Sequence, residues 1–159
     1  MNLGITGPRP GKIQNDYSYT GPMFGWIRER LTEKFVQHKP DLIITGLALG
    51  VDTVAALLAI DMNIPIMAAI PFLGQEDKWQ KAAKDLYHHI LCHKATIVKI
   101  VSLPGYADWK MQKRNQFIVD ESDLVLGVTD HTPGGTSNCL AFAAAVKRQI
   151  DIIDLRCFK

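Results

Sequence analysis

The sequence predicts an α/β protein with a Rossmann-like, doubly wound, mostly parallel sheet and helices on both faces. Two observations predict this fold. Short apolar segments alternate with longer segments of helical spacing along the chain. The short segments are apolar at nearly every position, which is typical of strands buried on both faces of a parallel sheet. Because 159 residues with 47% hydrophobic side chains suffice for one substantial core, we expect a single domain over 1–159.

The order of elements follows from periodicity and from chain-breaking residues. Apolar side chains that recur every three or four residues define the helices. Pro40 ends the first helix and Pro71 is expected to end the third strand. The predicted strands are Asn2–Thr6, Leu42–Thr45, Ile64–Ile70, Thr96–Val101, Asp123–Val128 and Ile150–Asp154. The predicted helices are Met23–His38, the segment from the GLALGVDT turn to Met62, Asp77–His93, Tyr106–Asp120 and Cys139–Val146.

Composition and charge exclude several classes of protein. The formal net charge of +2 is too small to cause non-specific attraction to nucleic acid or membranes by itself. The N-terminus has no basic segment leading into an apolar run, and no apolar stretch is long enough to span a bilayer. We therefore expect a cytoplasmic protein without membrane contact.

The cysteines and histidines do not predict a metal site. Three cysteines without CxxC spacing indicate neither a disulfide framework nor a zinc ribbon. His88 and Cys92 lie one helical turn apart, as do His89 and His93, but the two pairs face different directions. Neither pair alone supplies the four ligands of a structural zinc site, so we expect no bound metal.

The stretch DHTPGGTSN, residues 130–138, lies between a predicted strand and a predicted helix. The first N–H groups of a helix lack partners and point out with the positive end of its dipole, which makes an anion site. Glycines let the backbone approach a ligand, and the polar side chains after them can cap the helix or donate to phosphate. An ordinary turn and cap is the other interpretation. The candidate ligand residues are Asp130, Gly134, Gly135, Thr136, Ser137 and Asn138.

Three further loops begin at the carboxyl ends of predicted strands, which is the edge of the sheet where doubly wound folds bind ligands. Neither common nucleotide signature occurs in them: GPRPGK is one residue short of GxxxxGK and lacks the following Ser or Thr, and no GxGxxG follows a strand. The sequence therefore gives no sign that a nucleotide cofactor of these two kinds is required. Several glycine turns at one edge still predict a pocket. The candidate residues are Thr6, Gly7 and Arg9, then Gly46, Ala48, Gly50 and Asp52, then Phe72, Gln75 and Glu76.

Five of the candidate side chains have two interpretations each. Arg9 can pair with a phosphate or be a solvated loop residue. Asp52 can accept from a ribose hydroxyl or be stabilised by the helix dipole, and the two are compatible. Gln75, Glu76 and Trp79 can recognise and stack on a base, or can be a helix start with Trp79 in the core. Glu76 is the best candidate for a general acid or base.

A basic segment follows the fourth predicted strand. Lys110 and Arg114 lie four residues apart, with Lys113 between them and Trp109 and Asn115 beside them. The purely structural interpretation is an exposed amphipathic helix. The functional ones are that Lys110, Arg114 and Asn115 close the phosphate side of the pocket, or that the basic face holds single-stranded nucleic acid. The position after a strand favours the pocket.

Five segments resemble the YpsA-like branch of the SLOG superfamily: ITGPRP, TGLALGVDTVAA, IPFLGQEDKW, KMQKRNQFIVDESDLVLGV and DHTPGGTSNCLAFA. This superfamily is similar to the DNA-processing protein DprA and to the LOG phosphoribohydrolases. The resemblance implies a Rossmann-like fold that binds nucleotides or nucleotide derivatives at glycine turns. Arg114 resembles the arginine near the LOG ligand. The LOG glutamate is absent, because Asn138, Cys139 and Ala141 occupy the corresponding places.

These observations predict a protein that binds a nucleotide or nucleotide derivative, as a sensor or a sequestering protein. One alternative is a hydrolase or transferase acting at the N-glycosidic bond, with Glu76 in place of the missing glutamate. Another is a DprA-like module for single-stranded DNA. Relatives in the superfamily are often dimers, so a homodimer is left open.

Overall fold

The computed structural model describes residues 1–159 as one six-stranded parallel sheet covered by five α-helices. The strands are β1 (Asn2–Thr6), β2 (Leu42–Thr45), β3 (Ile66–Phe72), β4 (Thr96–Ser102), β5 (Leu124–Thr129) and β6 (Gln149–Asp154). The helices are α1 (Pro22–His38), α2 (Val51–Asp61), α3 (Lys81–Leu91), α4 (Asp108–Glu121) and α5 (Gly135–Ala145). Short 3₁₀ turns lie at Pro10–Lys12 and Leu155–Cys157.

The strand order determines where a ligand can enter. The order is β4-β3-β2-β1-β5-β6, and all neighbouring strands are parallel. The chain builds one half of the sheet outward from β1 and then returns to place β5 on the other side of β1. The loops after β1 and β5 therefore leave in opposite directions and open a crevice at their carboxyl ends. The predicted Rossmann-like, doubly wound sheet is confirmed.

Helices cover both faces of the sheet, as predicted. A cluster of 25 buried residues joins one face to α1, α2 and α3, while smaller clusters join the other face to α4 and α5. Helix α2 is buried nearly all round and is correspondingly apolar, whereas α3 presents a polar face to solvent. No helix combines the length and apolar character that crossing a bilayer requires.

The largest departures from the predicted bounds are in β3, α3 and α5. Strand β3 begins at Ile66 and continues through Pro71 to Phe72. Pro71 is tolerated because β2 pairs with β3 only as far as Ala68, so no neighbour on that side needs its missing N–H. Helix α3 begins at Lys81, since Leu73–Gln80 forms turns, and α5 begins four residues earlier than predicted, at Gly135.

Candidate ligand-binding cleft

A cleft of about 610 Å³ lies at the carboxyl ends of β1 and β5. Its walls are the loops after β1, β2 and β5 together with the side of α4. This position is the crevice that the strand order creates, and its volume is within the usual range for small-molecule sites, roughly 300–1,000 Å³. Of the residues predicted from sequence, the wall contains Thr6, Gly7, Arg9, Ala48, Asp52, Arg114, Asn115, Gly134, Gly135, Thr136 and Asn138.

The N-terminus of α5 borders this cleft and carries no side-chain cap. Gly134 is the N-cap residue, and Gly135 begins the helix with no other atom within 4 Å of the place where a Cβ would stand. Ser137, a predicted ligand residue, does not line the cleft; its hydroxyl donates to the Thr132 carbonyl at 2.6 Å. The helix end is thus open to an incoming anion.

Two opposite charges are buried in the cleft wall without being paired. Asp52 is 6% exposed and Arg114 is 8% exposed. They are close enough to influence each other's pKa but form no ion pair. Burial raises the pKa of Asp52 to about 6, against the opposing effect of Arg114. Burial likewise lowers the pKa of Arg114, partly offset by Asp52.

The hydrogen bonds that Asp52 and Arg114 form within the protein do not use all of their donor and acceptor groups. The Ala48 N–H donates to Asp52 Oδ2 at 3.3 Å. Arg114 donates from Nε to Asn115 Oδ1 at 3.0 Å and from Nη1 to the Gly46 carbonyl at 3.3 Å, and its Nη2 meets no protein acceptor. Gly46 itself lies outside the wall; a Cβ there would be 1.9 Å from Arg114 Nη1, so only glycine admits the guanidinium.

Two more cations stand at the rim. Arg9 is exposed and forms no ion pair. Lys12 crosses from the loop after β1 to the loop after β5, where its Nζ donates to Thr132 Oγ1 at 2.7 Å and to the Pro133 carbonyl at 3.1 Å. Sequence reasoning missed Lys12, although it belongs to the GPRPGK segment, because that segment was compared only with the P-loop pattern.

Asp130 shapes the loop after β5 and does not line the cleft. Its Oδ1 accepts from the Thr132 N–H at 2.9 Å and from the Thr132 hydroxyl at 2.6 Å. These hydrogen bonds hold the pKa of Asp130 below its usual value. The hydroxyl of Thr132 also accepts from Lys12, so Asp130, Thr132 and Lys12 form one chain of hydrogen bonds beside the glycines.

The predicted ligand residues at the end of β3 and after it lie in different environments. Phe72 and Gln75 line a second cavity of about 460 Å³, not the cleft. Glu76 lines neither; it is buried, with Oε2 3.3 Å from His88 Nε2. Trp79 also lines neither and packs edge-on against Tyr87, with ring centroids 5.3 Å apart. For Trp79 the core interpretation describes its position, although it packs from a turn and not from a helix.

The predicted basic face of α4 is not an exposed surface. Lys110 is 8% exposed, and its Nζ donates to the carbonyls of Leu103, Pro104 and Gly105 at 2.8, 3.2 and 2.6 Å. It therefore holds the loop before α4 and does not line the cleft. Arg114 turns into the cleft, and only Lys113 is exposed. The three cations do not assemble into one strip.

No cysteine or histidine lines either cavity. No group of three His, Cys, Asp or Glu side chains is placed to hold a metal ion. Cys92 and Cys157 are exposed free thiols, whereas Cys139 is buried and its pKa is raised to about 11 by burial.

Comparison with known proteins gives the family. The model of the YspA SLOG family (YpsA) matches residues 5–156, so the chain belongs to this family. A UPF0398 protein of Bacillus cereus is 25% identical over 157 residues, which cover 94% of this chain and 85% of the relative. A UPF0398 protein of Brevibacillus brevis is 26% identical over 119 residues, covering 72% of this chain and 63% of the relative.

Two solved structures share the fold. DNA processing protein A of Streptococcus pneumoniae superposes with a TM-score of 0.68 at 20% identity, covering 95% of this chain and 49% of that chain. The Helicobacter pylori protein, solved to describe its single-stranded DNA binding mode, gives 0.67 at 16% identity, covering 100% of this chain and 67% of that chain. This chain thus spans about half the length of the pneumococcal protein.

Proposed function

We propose that this protein binds a nucleotide or nucleotide derivative in the cleft, in a sensing or sequestering role. The phosphate lies against the N-terminus of α5 and Arg114, and a sugar hydroxyl donates to Asp52. The observation that carries the proposal is the pair of buried, unpaired charges, Asp52 and Arg114, in the wall of an open cleft.

Burial of such groups is costly unless they have partners. A charge removed from water loses several kcal/mol of solvation, about as much as a close opposite charge returns. Here both residues line the cleft, and Arg114 keeps free hydrogen-bonding capacity, since its Nη2 has no protein acceptor. A ligand with an acidic group and a hydroxyl complements both. A nucleotide carries these two groups a few ångströms apart.

The charge around the cleft favours an anionic ligand. Three cations line it, Arg9, Lys12 and Arg114, against two acidic groups, Asp52 and Asp108. Asp108 already accepts a hydrogen bond from the Tyr106 hydroxyl. The uncapped N-terminus of α5 adds partial positive charge at the same place. Membership of the SLOG family and the DNA-binding description of the Helicobacter pylori protein support a ligand of nucleotide chemistry.

The experiment is a thermal-shift screen of nucleoside monophosphates and diphosphates against the wild type, Gly135→Asp and Gly25→Asp. A Cβ at either glycine meets no atom within 4 Å, and both lie in the first turn of a helix, so both variants should fold. Gly135→Asp places a carboxylate at the cleft. We expect the ligand-dependent rise in Tm to persist in Gly25→Asp and to vanish in Gly135→Asp.

Two results would count against the proposal. One is the absence of any shift in the wild type at millimolar ligand. The other is an equal loss in both variants, because the effect would then come from added negative charge and not from the cleft.

A second candidate function is hydrolysis or transfer at the N-glycosidic bond. The observation that favours it is Asp52, an acidic group in the cleft whose pKa is raised to about 6 by burial, near the range useful for general acid or base catalysis. Glu76 lies outside the cleft. Base release from nucleoside monophosphates should therefore be abolished by Asp52→Asn and unaffected by Glu76→Gln. No release by the wild type would dispose of this candidate.

Single-stranded DNA binding through the basic residues of α4 has less support. It requires Lys110, Lys113 and Arg114 on one accessible surface, and the Lys110 ammonium is already surrounded by three carbonyls.

A further inference from the structure

A second cavity lies directly beside the cleft. It is formed by the segment after β3 and the loop before α4, and has a volume of about 460 Å³. Tyr106 is a wall of both cavities. The two cavities therefore adjoin at this side chain.

The walls of this cavity suit a flat aromatic group. Leu73 is 65% exposed and Tyr106 is 69% exposed, so two large apolar side chains line a concave surface without being covered by the protein. The Tyr106 ring lies edge-on to Phe72, with centroids 6.1 Å apart. Its hydroxyl donates to Asp108, which restrains the ring while its faces remain available for stacking.

The cavity offers two free acceptors, on Gln75 and Asp77, beside the exposed ammonium of Lys78. Gln75 donates from Nε2 to the Gly46 carbonyl at 3.1 Å and to the Tyr87 hydroxyl at 3.3 Å, which orients the amide, and its Oε1 receives no protein hydrogen bond. The Asp77 carboxylate is exposed and unpaired. Acceptors beside an aromatic face match a nucleobase that carries an exocyclic amine.

We propose that the second cavity is a subsite for a second base, so that the ligand is a phosphodiester-linked dinucleotide unit containing an amine-bearing base. This inference rests on the proposed function, because the first nucleotide occupies the cleft. The linked unit has two sources, a free dinucleotide or a stretch of single strand. In both, the phosphate groups lie on the cationic side, at Arg9, Lys12 and α5, and the second base packs between Tyr106 and Leu73.

The test is isothermal titration of the wild type at fixed salt with four probes. They are AMP, the 5′-phosphorylated dinucleotide pApA, the same dinucleotide with an abasic second unit, and an oligoadenylate of about ten residues, within the usual range of single-strand site sizes. Stacking of one base on an aromatic side chain commonly changes affinity by about tenfold or more. We expect pApA to bind at least about tenfold more tightly than AMP, and the abasic probe to bind like AMP.

Two variants test whether the tighter binding of pApA depends on the second cavity. Leu73→Asp places a charge in the second cavity, and Leu103→Asp makes the same change at a leucine that is 81% exposed and lines neither cavity. Because both side chains are exposed, both variants should keep the wild-type circular dichroism and Tm. We expect Leu73→Asp to reduce pApA binding to the level of AMP without altering AMP binding, and Leu103→Asp to change neither.

The outcomes separate this inference from the proposed function. The inference is wrong, and the proposed function stands, if AMP binds but pApA binds no more tightly than AMP. The same holds if the abasic probe binds as tightly as pApA, or if pApA still binds more tightly than AMP to Leu73→Asp. If neither AMP nor any other probe binds the wild type, the inference is wrong, and the thermal-shift screen of the other nucleotides decides whether the proposed function fails with it. An oligoadenylate that binds no more tightly than pApA identifies a free dinucleotide as the source, whereas tighter, strongly salt-dependent binding identifies a single strand.

Discussion

The two glycine turns after β2 and β5 look alike in sequence but serve different purposes in the structure. In the turn after β2 the protein uses the backbone N–H groups itself. Gly50 donates to the Tyr19 hydroxyl at 3.0 Å and Val51 to the Pro8 carbonyl at 3.3 Å. Gly50 has a φ of +100°, and a Cβ there would lie 2.5 Å from the Pro8 oxygen. The loop after β1 packs tightly on this turn.

In the turn after β5 no other loop covers the glycines, and the Asn115 side chain donates only to the Gly135 carbonyl, at 3.4 Å. Gly134 and Gly135 are exposed, no side chain caps α5, and Lys12 is the side chain nearest to the place of a Gly134 Cβ, at 3.3 Å. A glycine turn is therefore available to a ligand only if the neighbouring loop leaves it uncovered. Neighbouring loops are set by the tertiary structure and not by the turn's own residues.

Replacing Gly50 should destabilise the protein most, because the turn after β2 is packed. Gly50→Ala forces a side chain into a backbone conformation suited to glycine and against the Pro8 carbonyl, and we expect a loss of about 3 kcal/mol in the free energy of unfolding. Urea unfolding followed by circular dichroism measures it. A change below about 1 kcal/mol would mean that the turn after β2 is as open as the other one.

The next effect concerns Asp52, which supports the packed turn through Ala48 and also lines the cleft. Its pKa is raised by burial from 3.8 to about 6, so the folded state holds its proton more tightly than the unfolded state does. The contribution of Asp52 to stability is therefore most favourable at low pH and is lost as pH rises through about 6.

Compared with Asp52→Asn, the wild type should thus become relatively more stable as pH falls from neutrality. The expected change in the difference of unfolding free energy is about 1 kcal/mol by pH ~5. Urea unfolding of both proteins between neutral and mildly acidic pH measures it, and the difference cancels the shared effects of other carboxylates. A difference that is constant with pH would show that Asp52 is not held in a desolvated site.

The smallest effect is at the open turn. Gly135 lies in a helix, has no unusual φ, and leaves room for a Cβ. Gly135→Ala should therefore leave the fold intact and raise the free energy of unfolding by about 0.5 kcal/mol, since alanine loses less backbone entropy than glycine on folding. The same urea experiment applies. A loss of more than about 1 kcal/mol would mean that this turn is also packed.

The bounds of the strands were predicted more accurately than the first residues of the helices. Strands β1 and β2 have the predicted bounds because each short apolar run ends in a threonine that a glycine, Gly7 or Gly46, directly follows. The start of α3 was wrong because Trp79 fits helical spacing but reaches the core from a turn. Periodicity records which positions are apolar, and it does not record the backbone conformation that buries them.

The cleft was predicted in outline, and the residues that were missed depend on distant contacts. Lys12 and Thr132 are 120 positions apart, and their hydrogen bond follows from β1 and β5 being neighbours in the sheet. Lys110 differs, because its partners are only five to seven residues away in sequence, although its spacing from Arg114 suggested a shared face. Its ammonium is instead held by three consecutive carbonyls of the loop before α4, which the helical pattern could not show.

An amide chemical-shift titration of the isotope-labelled protein with AMP locates the bound phosphate. We expect the phosphate to lie at the open N-terminus of α5 and not at the packed turn. We predict large shifts for the amides of Gly135, Thr136 and Ser137 and small ones for Gly50 and Val51, whose N–H groups already donate to Tyr19 and Pro8. Large shifts confined to Gly50 and Val51, or none at either turn, would contradict it.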